Sequence, residues 1–211
     1  AAGAYKPLGP EWIKGEPTAG AYYFQNQYSR DGRYAKWMHN RVLMPVITVI
    51  TLFVLALMLF VMVRFRKGAN PVPSRTSHNA LIEVIWTIVP ALILVGIAVP
   101  SMILLNRQFR TPPKDALTVK VTGYQWYWGY EYVGEDVAFD SFKLERDQLA
   151  QYGYDDSDYL LATDTAVVVP VGKTVVMQVT AADVIHSWTI PAFGVKQDAV
   201  PGRLAQLWFK A

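Results

Sequence analysis

Among the residues that could bind a metal, His186 is the one whose surroundings point to a site. It lies in the apolar run 184–188, and the stretch that follows to residue 203 holds two prolines and two glycines, which predict a loop with restricted backbone angles. A neutral imidazole with no obvious acid–base partner nearby suits a transition metal, copper above all. The alternative is a histidine that is hydrogen-bonded within a protein core.

Glu83 is the second candidate, because it is the one acidic residue inside two long apolar runs, 42–63 and 81–105. It falls about one turn from the start of the second run. An ionisable side chain at the edge of a membrane has to face water, a partner protein or a proton path. The alternative is an interfacial carboxylate that the positive end of the helix dipole stabilises.

Aromatic residues form the third feature. In residues 123–132 (GYQWYWGYEY) every second side chain up to Tyr130 is Tyr or Trp, which places these rings on one side of a predicted strand. Large aromatic side chains on a sheet most often supply core and rim packing. The sequence has no cysteine, which removes disulfides and thiolate metal sites from this polypeptide. It shows no nucleophile–base pair and no phosphate-binding loop, so a small-molecule enzyme is not indicated.

The two apolar runs predict transmembrane helices. At about 1.5 Å per residue, residues 42–63 reach across a hydrocarbon layer of about 30 Å, and the longer run 81–105 predicts a tilted helix. The inner loop 64–80 is basic and faces the cytoplasm or mitochondrial matrix by the positive-inside rule. Residues 1–41 predict an extended arm along a partner or the membrane, with a disordered tail as the alternative. Because the sequence lacks an initiator Met, we expect a mature chain from which a signal or transit peptide has been removed.

Residues 115–211 predict a β-domain outside the membrane. Short strands divided by turn signals argue for a β-sandwich. The region 139–158 is polar and predicts a surface excursion with a short helix near 146–150. The strands are predicted at residues 117–122, 167–171, 174–180 and 185–190.

The charges are divided unevenly along the chain. Residues 1–114 carry 13 basic and 4 acidic side chains, whereas residues 115–211 carry 7 basic and 13 acidic ones. An acidic outer domain predicts a basic partner that is attracted by its long-range field. The alternative is a solvated acidic face. The acidity also argues against nucleic-acid binding.

Three segments taken together resemble subunit II of the haem–copper cytochrome c oxidases: residues 83–90 (EVIWTIVP), 123–132 and 184–191 (VIHSWTIP). The resemblance extends from about residue 42 to residue 211. It implies a membrane-anchored α+β fold, in which an N-terminal arm and a two-helix transmembrane hairpin precede an incomplete cupredoxin-like β-barrel. The implied location is the mitochondrial or bacterial inner membrane, with the β-domain in the intermembrane space or periplasm.

The resemblance also implies a role for each candidate residue. His186 matches the first ligand of the binuclear copper centre (CuA) that accepts electrons from cytochrome c. Trp126 matches the exposed tryptophan where electrons arrive, and Glu83 matches the acid at the mouth of a proton channel of subunit I. Subunit I and cytochrome c are therefore the implied partners. A carboxylate rim would attract the basic cytochrome, and its candidates are Glu131, Asp136, Asp140 and Asp158, with Glu135 as another.

The sequence departs from the family pattern in one respect. The other copper ligands of the family lie in a cysteine-rich segment downstream, which these 211 residues do not include. The polypeptide could be part of a longer one, a separate chain could carry the C-terminal half of subunit II, or the protein could be a copper-free quinol oxidase subunit II. Retention of His186 and Trp126 disfavours the quinol enzyme, and the separate chain is mildly favoured.

We therefore expect subunit II of a proton-pumping cytochrome c oxidase, with copper completed by residues outside this sequence. Such a subunit would dock cytochrome c and pass its electrons through the binuclear copper to subunit I, where oxygen is reduced. The alternative is a copper-free quinol oxidase subunit or a structural anchor.

Overall fold

The computed structural model describes residues 14–210, which form two compact units. The first unit is helical and covers Tyr34–Asn106. The second is a β unit that combines the N-terminal residues up to Arg33 with the chain from Arg107 onward.

Two long helical stretches make up the helical unit. The first consists of α1 (Arg30–Trp37), a π-helical segment (Met38–Leu43) and α2 (Met44–Arg64), and the second is α3 (Ala80–Gln108). Both are long and apolar enough to cross a membrane. In the most apolar part of each stretch, no residue is buried inside the protein. A helix that is apolar around its whole circumference and is not covered by protein is typical of a membrane span.

The prediction of an extended arm over residues 1–41 is wrong from Arg30 onward, where the chain is helical. Helix α1 begins at Arg30, because the Ser29 hydroxyl accepts a hydrogen bond from the backbone N–H of Gly32 (2.9 Å) and so caps the first turn. Asp31 adds an acidic side chain in that turn, where the helix dipole favours it. Residues 1–13 of the predicted arm lie outside the described residues.

The β unit contains a five-stranded sheet and a two-stranded sheet. The strand order in the larger sheet is β3-β2-β1-β4-β7, with β1 and β4 parallel and the other neighbours antiparallel. The smaller sheet is the antiparallel hairpin of β5 and β6. The strands are β1 (Leu117–Tyr124), β2 (Tyr127–Tyr132), β3 (Val137–Phe142), β4 (Thr174–Ala181), β5 (His186–Ile190), β6 (Val195–Ala199) and β7 (Ala205–Lys210).

The core lies between the two sheets. Alternate side chains of β1 and β4 point inward, and Val119, Val121 and Met177 are fully buried. Trp188 of β5 is buried against them, and its indole N–H donates to the Tyr130 hydroxyl (3.1 Å). Burying each of these aliphatic side chains contributes about 1.5–3 kcal/mol. The predicted sandwich, and with it the membrane-anchored α+β class, is confirmed.

Three local predictions for the β-domain are wrong. Residues 167–171 form no strand, because the Tyr132 hydroxyl donates to the carbonyl oxygen of Val168 (2.7 Å) and accepts from its N–H (2.9 Å), so a side chain replaces a neighbouring strand. The predicted excursion 139–158 is wrong for residues 139–142, which belong to β3, whereas the short helix predicted near 146–150 is confirmed as α4 (Arg146–Tyr152). The predicted loop after residue 190 contains β6, which pairs with β5 along its whole length.

The segment 27–29 contacts the turn between β5 and β6. Three successive residues donate hydrogen bonds to three successive carbonyl oxygens of that turn: Gln27 Nε2 to Pro191 (2.9 Å), the Tyr28 N–H to Ala192 (2.8 Å) and Ser29 Oγ to Phe193 (2.5 Å). We call these residues the N-terminal clamp. They attach the chain before α1 to the hairpin that begins with His186.

Candidate functional site

His186 begins strand β5 and has a ring that is held on several sides. Its side chain is 15% exposed, and its ring forms a T-shaped pair with the Trp128 ring, with 5.8 Å between the centroids. Gly123 lies beneath it, since a Cβ atom at position 123 would come within 2.8 Å of His186 Cδ2. The absence of a side chain at Gly123 therefore makes room for the imidazole.

Asp183 orients the His186 ring. The distance between His186 Nε2 and Asp183 Oδ1 is 2.7 Å, and the same carboxylate oxygen accepts from the N–H of Val184 (2.6 Å). An ionised carboxylate only accepts hydrogen bonds, so the proton of a neutral His186 is on Nε2 and the lone pair is on Nδ1. The His186 hydrogen bond is the main reason why the pKa of Asp183 is lowered, and the N–H groups of Val184 and Gln125 add to this.

The other oxygen of Asp183 reaches a different part of the domain. Its Oδ2 accepts from the backbone N–H of Gln125 at 2.7 Å. Gln125 and Trp126 form the two-residue turn that joins β1 to β2, because Tyr124 pairs directly with Tyr127. One carboxylate thus fixes both the histidine and the turn that carries Trp126.

Trp126 lies at the tip of the β1–β2 hairpin and is 84% exposed. The predicted alternation through residue 130 is therefore interrupted at this turn. Next to it, Tyr127 stacks on Tyr124 and on Phe142, with 4.6 Å between the centroids in both pairs. Burial, and then the carboxylate of Asp140, raise the pKa of Tyr127. The turn thus presents an indole beside a row of stacked rings on the outer face of the sheet.

The predicted rim acids do not form one group. Glu131 and Asp140 line the same shallow hollow on the outer face of the larger sheet, and Glu131 is 3.4 Å from Lys120 Nζ. Asp136 lies exposed in the turn between β2 and β3, as does Glu135. Asp158 is elsewhere, in a 3-10 turn that packs near α4, and its Oδ2 accepts from the N–H of Asp155 (2.9 Å).

Glu83 lies in the first turn of α3. Its Oε1 accepts from the backbone N–H of Asn79 (3.2 Å), while Asn79 Oδ1 accepts from the N–H of Ile82 (3.2 Å). This reciprocal arrangement satisfies two of the N–H groups that a helix leaves unpaired at its start. Glu83 therefore has a capping role in the helical unit.

The described residues fit one position of a copper site and not a complete centre. No group of three or more His, Cys, Asp or Glu side chains that could hold a metal occurs within residues 14–210, and the sequence has no cysteine. Nδ1 of His186 is a suitable single ligand. A dinuclear centre with bridging thiolates would require ligands other than these.

Two residues of this site are not among the candidates that the sequence suggests. The first is Asp183, although it lies three positions before His186, a spacing that brings two side chains together across a tight turn. Gly123 was within the aromatic segment, but only the structure shows that the imidazole occupies the space above it.

The fold and the site define a membrane-anchored protein with an outer β-domain that presents one oriented imidazole and one exposed indole. Two family models match the chain: "Cytochrome C oxidase subunit II, transmembrane domain" over residues 17–104, and "Cytochrome C oxidase subunit II, periplasmic domain" over residues 117–211. The chain belongs to the cytochrome c oxidase subunit II family, and so it is similar to subunits of an oxidoreductase complex of the inner membrane with a domain in the periplasm or intermembrane space.

The curated relatives of this chain are subunits 2 of cytochrome c oxidases. Cytochrome c oxidase subunit 2 of Cereibacter sphaeroides is 50% identical over 94% of this chain and 70% of its own length. The probable subunit 2 of Rickettsia bellii is 46% identical over 79% of this chain, and subunit 2 of Zea mays is 40% identical over 79%. The chain spans 60% and 65% of the length of these last two relatives.

Among solved structures, the periplasmic domain of subunit II of cytochrome oxidase of Bradyrhizobium japonicum is 48% identical. The match covers 48% of this chain and 67% of that domain, with a TM-score of 0.40.

Proposed function

We propose that this chain is the subunit that docks cytochrome c and accepts its electrons in a proton-pumping oxidase. The observation that carries the proposal is the pair of hydrogen bonds made by Asp183, one to His186 and one to the turn of Trp126. This connection holds an exposed aromatic group and a ligand-competent imidazole on one rigid element. Rigid placement of the two groups is what electron acceptance from a transient partner needs.

Trp126 is the proposed point of electron arrival. An indole that is 84% exposed supplies a large apolar contact with little conformational freedom to lose on binding. The stacked rings of Tyr124, Tyr127 and Phe142 extend this apolar surface. Docking of a haem protein there would cover the indole and leave the charged groups around it at the rim.

The proposed rim consists of Glu131, Asp136 and Asp140, with Glu135 beside them. Glu131 and Asp140 share the outer face of the sheet with the stacked rings, which supports their assignment. Carboxylates at a rim speed association with a basic partner and are screened by salt. Asp158 receives less support, since its carboxylate closes a 3-10 turn next to α4.

His186 is proposed as one copper ligand through Nδ1. The hydrogen bond from Nε2 to a carboxylate is the arrangement that fixes ring orientation in metal-ligating histidines and raises their basicity. The bridging thiolates would come from a continuation of the polypeptide or from a separate chain that carries the C-terminal half of subunit II. Subunit I is the proposed recipient of the electrons and the site of oxygen reduction.

Glu83 is proposed as the acid from which a proton path into subunit I begins. Its position in the first turn of α3 places a carboxylate at the end of an apolar helix, where it remains hydrated. The capping bond to Asn79 is compatible with this role, because it occupies one carboxylate oxygen and leaves the other.

The direct experiment compares Trp126→Gln with Phe109→Gln in the purified oxidase complex. We expect Trp126→Gln to lower the rate of electron transfer from cytochrome c far more than the affinity. Phe109→Gln removes an aromatic ring that is 81% exposed and lies outside the proposed docking surface, so it should change the rate little. Equal rates in the native complex and the Trp126 variant would refute the assignment.

The competing function is a copper-free quinol oxidase subunit or a structural anchor. It is favoured by one observation, namely that the described residues contain no complete set of metal ligands. Copper analysis of the purified complex separates the two proposals, since the competing function requires that no copper be present beyond the copper of subunit I.

A further inference from the structure

A cavity of about 190 Å³ lies in the β unit where α1 begins and where α3 ends. Its wall includes Arg30 and Asp31 from the first turn of α1, Arg107 from the last turn of α3, and Arg110 just beyond that helix. Strand β7 closes another side with Trp208, Phe209 and Lys210.

The charge of the cavity wall is strongly positive. Three arginines and one lysine face one carboxylate, Asp31. Within the part of the chain that the structure describes, none of the ion pairs involves Arg30, Arg110 or Lys210. Arginine side chains present forked N–H donors that match the oxygen atoms of a phosphate group. The cavity is therefore suited to a phosphate anion.

The wall also has an apolar part and an unsatisfied donor. Val195, Trp208 and Phe209 contribute apolar surface, and the indole N–H of Trp208 is buried with no acceptor among the described residues. A buried donor without a partner costs about 1–3 kcal/mol, which an oxygen atom of a bound molecule would recover. A ligand that combines an anion with an apolar portion meets both features.

The position of the cavity along the chain identifies the source of the phosphate. Arg107 and Gln108 end a 29-residue apolar helix, so the cavity lies at the level where a bilayer changes from hydrocarbon to headgroups. We propose that it binds the headgroup of an anionic phospholipid of the outer leaflet. Arg30, Arg110 and Lys210 contact the phosphodiester, and Val195, Trp208 and Phe209 contact the apolar part of the lipid next to it.

Asp31 indicates which headgroup fits. The Asp31 carboxylate in the wall repels a dianion such as free phosphate. It can also accept hydrogen bonds from hydroxyl groups. A phosphodiester monoanion with a glycerol headgroup, as in phosphatidylglycerol, satisfies both the cations and Asp31. Phosphatidylcholine provides neither a net charge nor a headgroup donor.

The test is lipid retention by the full chain in nanodiscs that contain phosphatidylcholine with a minor fraction of phosphatidylglycerol, read by native mass spectrometry. We expect selective retention of phosphatidylglycerol, about fivefold weaker in Arg110→Gln and again in Lys210→Gln. Arg110→Lys keeps the charge and should retain most of the binding. Arg75→Gln removes the same charge from the loop between α2 and α3 and should have no effect.

Four results would overturn the proposal. Equal retention of both lipids would show that the cavity does not select an anion. An equal loss in Arg75→Gln and Arg110→Gln would show that only the overall charge matters. Displacement of phosphatidylglycerol by excess inorganic phosphate would identify the ligand as a free anion, and exclusion of the lipid from the complex with subunit I would assign the cavity to a protein contact.

Discussion

Asp183 Oδ1 lies 2.7 Å from His186 Nε2, and the same carboxylate accepts the N–H of Gln125 through its other oxygen. The contact links a turn of the larger sheet to the first residue of the smaller one. It also decides which nitrogen of the imidazole is available to a metal. Orientation of the ring is therefore built into the β-domain by residues 183–186.

Removal of the Asp183 charge should make the stability of the domain less dependent on pH. The pKa of Asp183 is lowered in the folded state, mainly by the His186 hydrogen bond. The contribution of Asp183 to the free energy of unfolding is therefore present above the ordinary aspartate pKa of 3.8. It is lost as the pH falls through the lowered pKa of the folded state. Thermal unfolding between pH 7 and pH 3 should give a higher midpoint for the native protein than for Asp183→Asn. The difference between the two midpoints should narrow below about pH 4.

Glu135→Gln, which neutralises an exposed carboxylate in the turn between β2 and β3, is the matched control. Its unfolding midpoint should follow that of the native protein at each pH. A gap for Asp183→Asn that stays constant down to pH 3 would mean that the carboxylate does not interact with His186 as the geometry indicates.

Addition of one methyl group at Gly123 should displace the His186 ring. The new Cβ atom would lie within 2.8 Å of the ring, and a filled core resists such additions at a cost of about 1–3 kcal/mol in unfolding free energy. Denaturant unfolding of Gly123→Ala measures this loss, and the imidazole NMR signals of His186 should shift. Gly68→Ala, which has no heavy atom within 4 Å of the new methyl, should leave both unchanged.

Loss of the Ser29 hydroxyl should destabilise the N-terminal clamp. The hydroxyl donates to the Phe193 carbonyl and accepts from the Gly32 N–H in a buried position, so Ser29→Ala removes a cross-chain bond and a helix cap. We expect a loss of about 1–3 kcal/mol in unfolding free energy and faster proteolysis before Arg30. Ser157→Ala, an exposed serine, should behave like the native protein; equal proteolysis rates in both variants would contradict the clamp.

Much of the architecture could be predicted from the sequence because it follows from local patterns. The apolar runs and the alternation in β1, β4 and β5 each depend on neighbouring residues. The N-terminal clamp could not be predicted, since Ser29 and Phe193 are separated by 164 positions and interact through a backbone carbonyl. The Tyr132 hydroxyl forms a hydrogen bond with the backbone of Val168, where the sequence predicts a strand over residues 167–171. An alternating pattern in the sequence does not indicate such a contact.

The candidate site was only partly predictable. The sequence segments suggest His186 and Trp126 as site residues, but the exposure of Trp126 depends on the hairpin turn that interrupts the alternation. Asp158 illustrates the limit of charge counting, because its carboxylate accepts a hydrogen bond within a 3-10 turn, a contact that composition does not show. Glu83 likewise caps α3, a contact that composition does not show.

Neutralisation of Glu83 should separate the proton role from the capping role. Glu83→Gln keeps an oxygen acceptor for the Asn79 N–H and removes the acid, so the helix start is preserved. We expect slower steady-state oxygen consumption with unimpaired electron transfer from cytochrome c in stopped-flow measurements. Glu83→Ala should add a loss of stability by removing the cap. Normal turnover and proton pumping in the Gln variant would refute the proton-path proposal.

The near-infrared absorption of mixed-valence dinuclear copper in the purified complex reports on the proposed role of His186 as a copper ligand. We expect this band in the native complex, its loss in His186→Asn and its retention in His78→Asn, which changes a histidine of the loop between the membrane helices. A native complex without the band, or an undiminished band in His186→Asn, would contradict the assignment of His186 as a copper ligand.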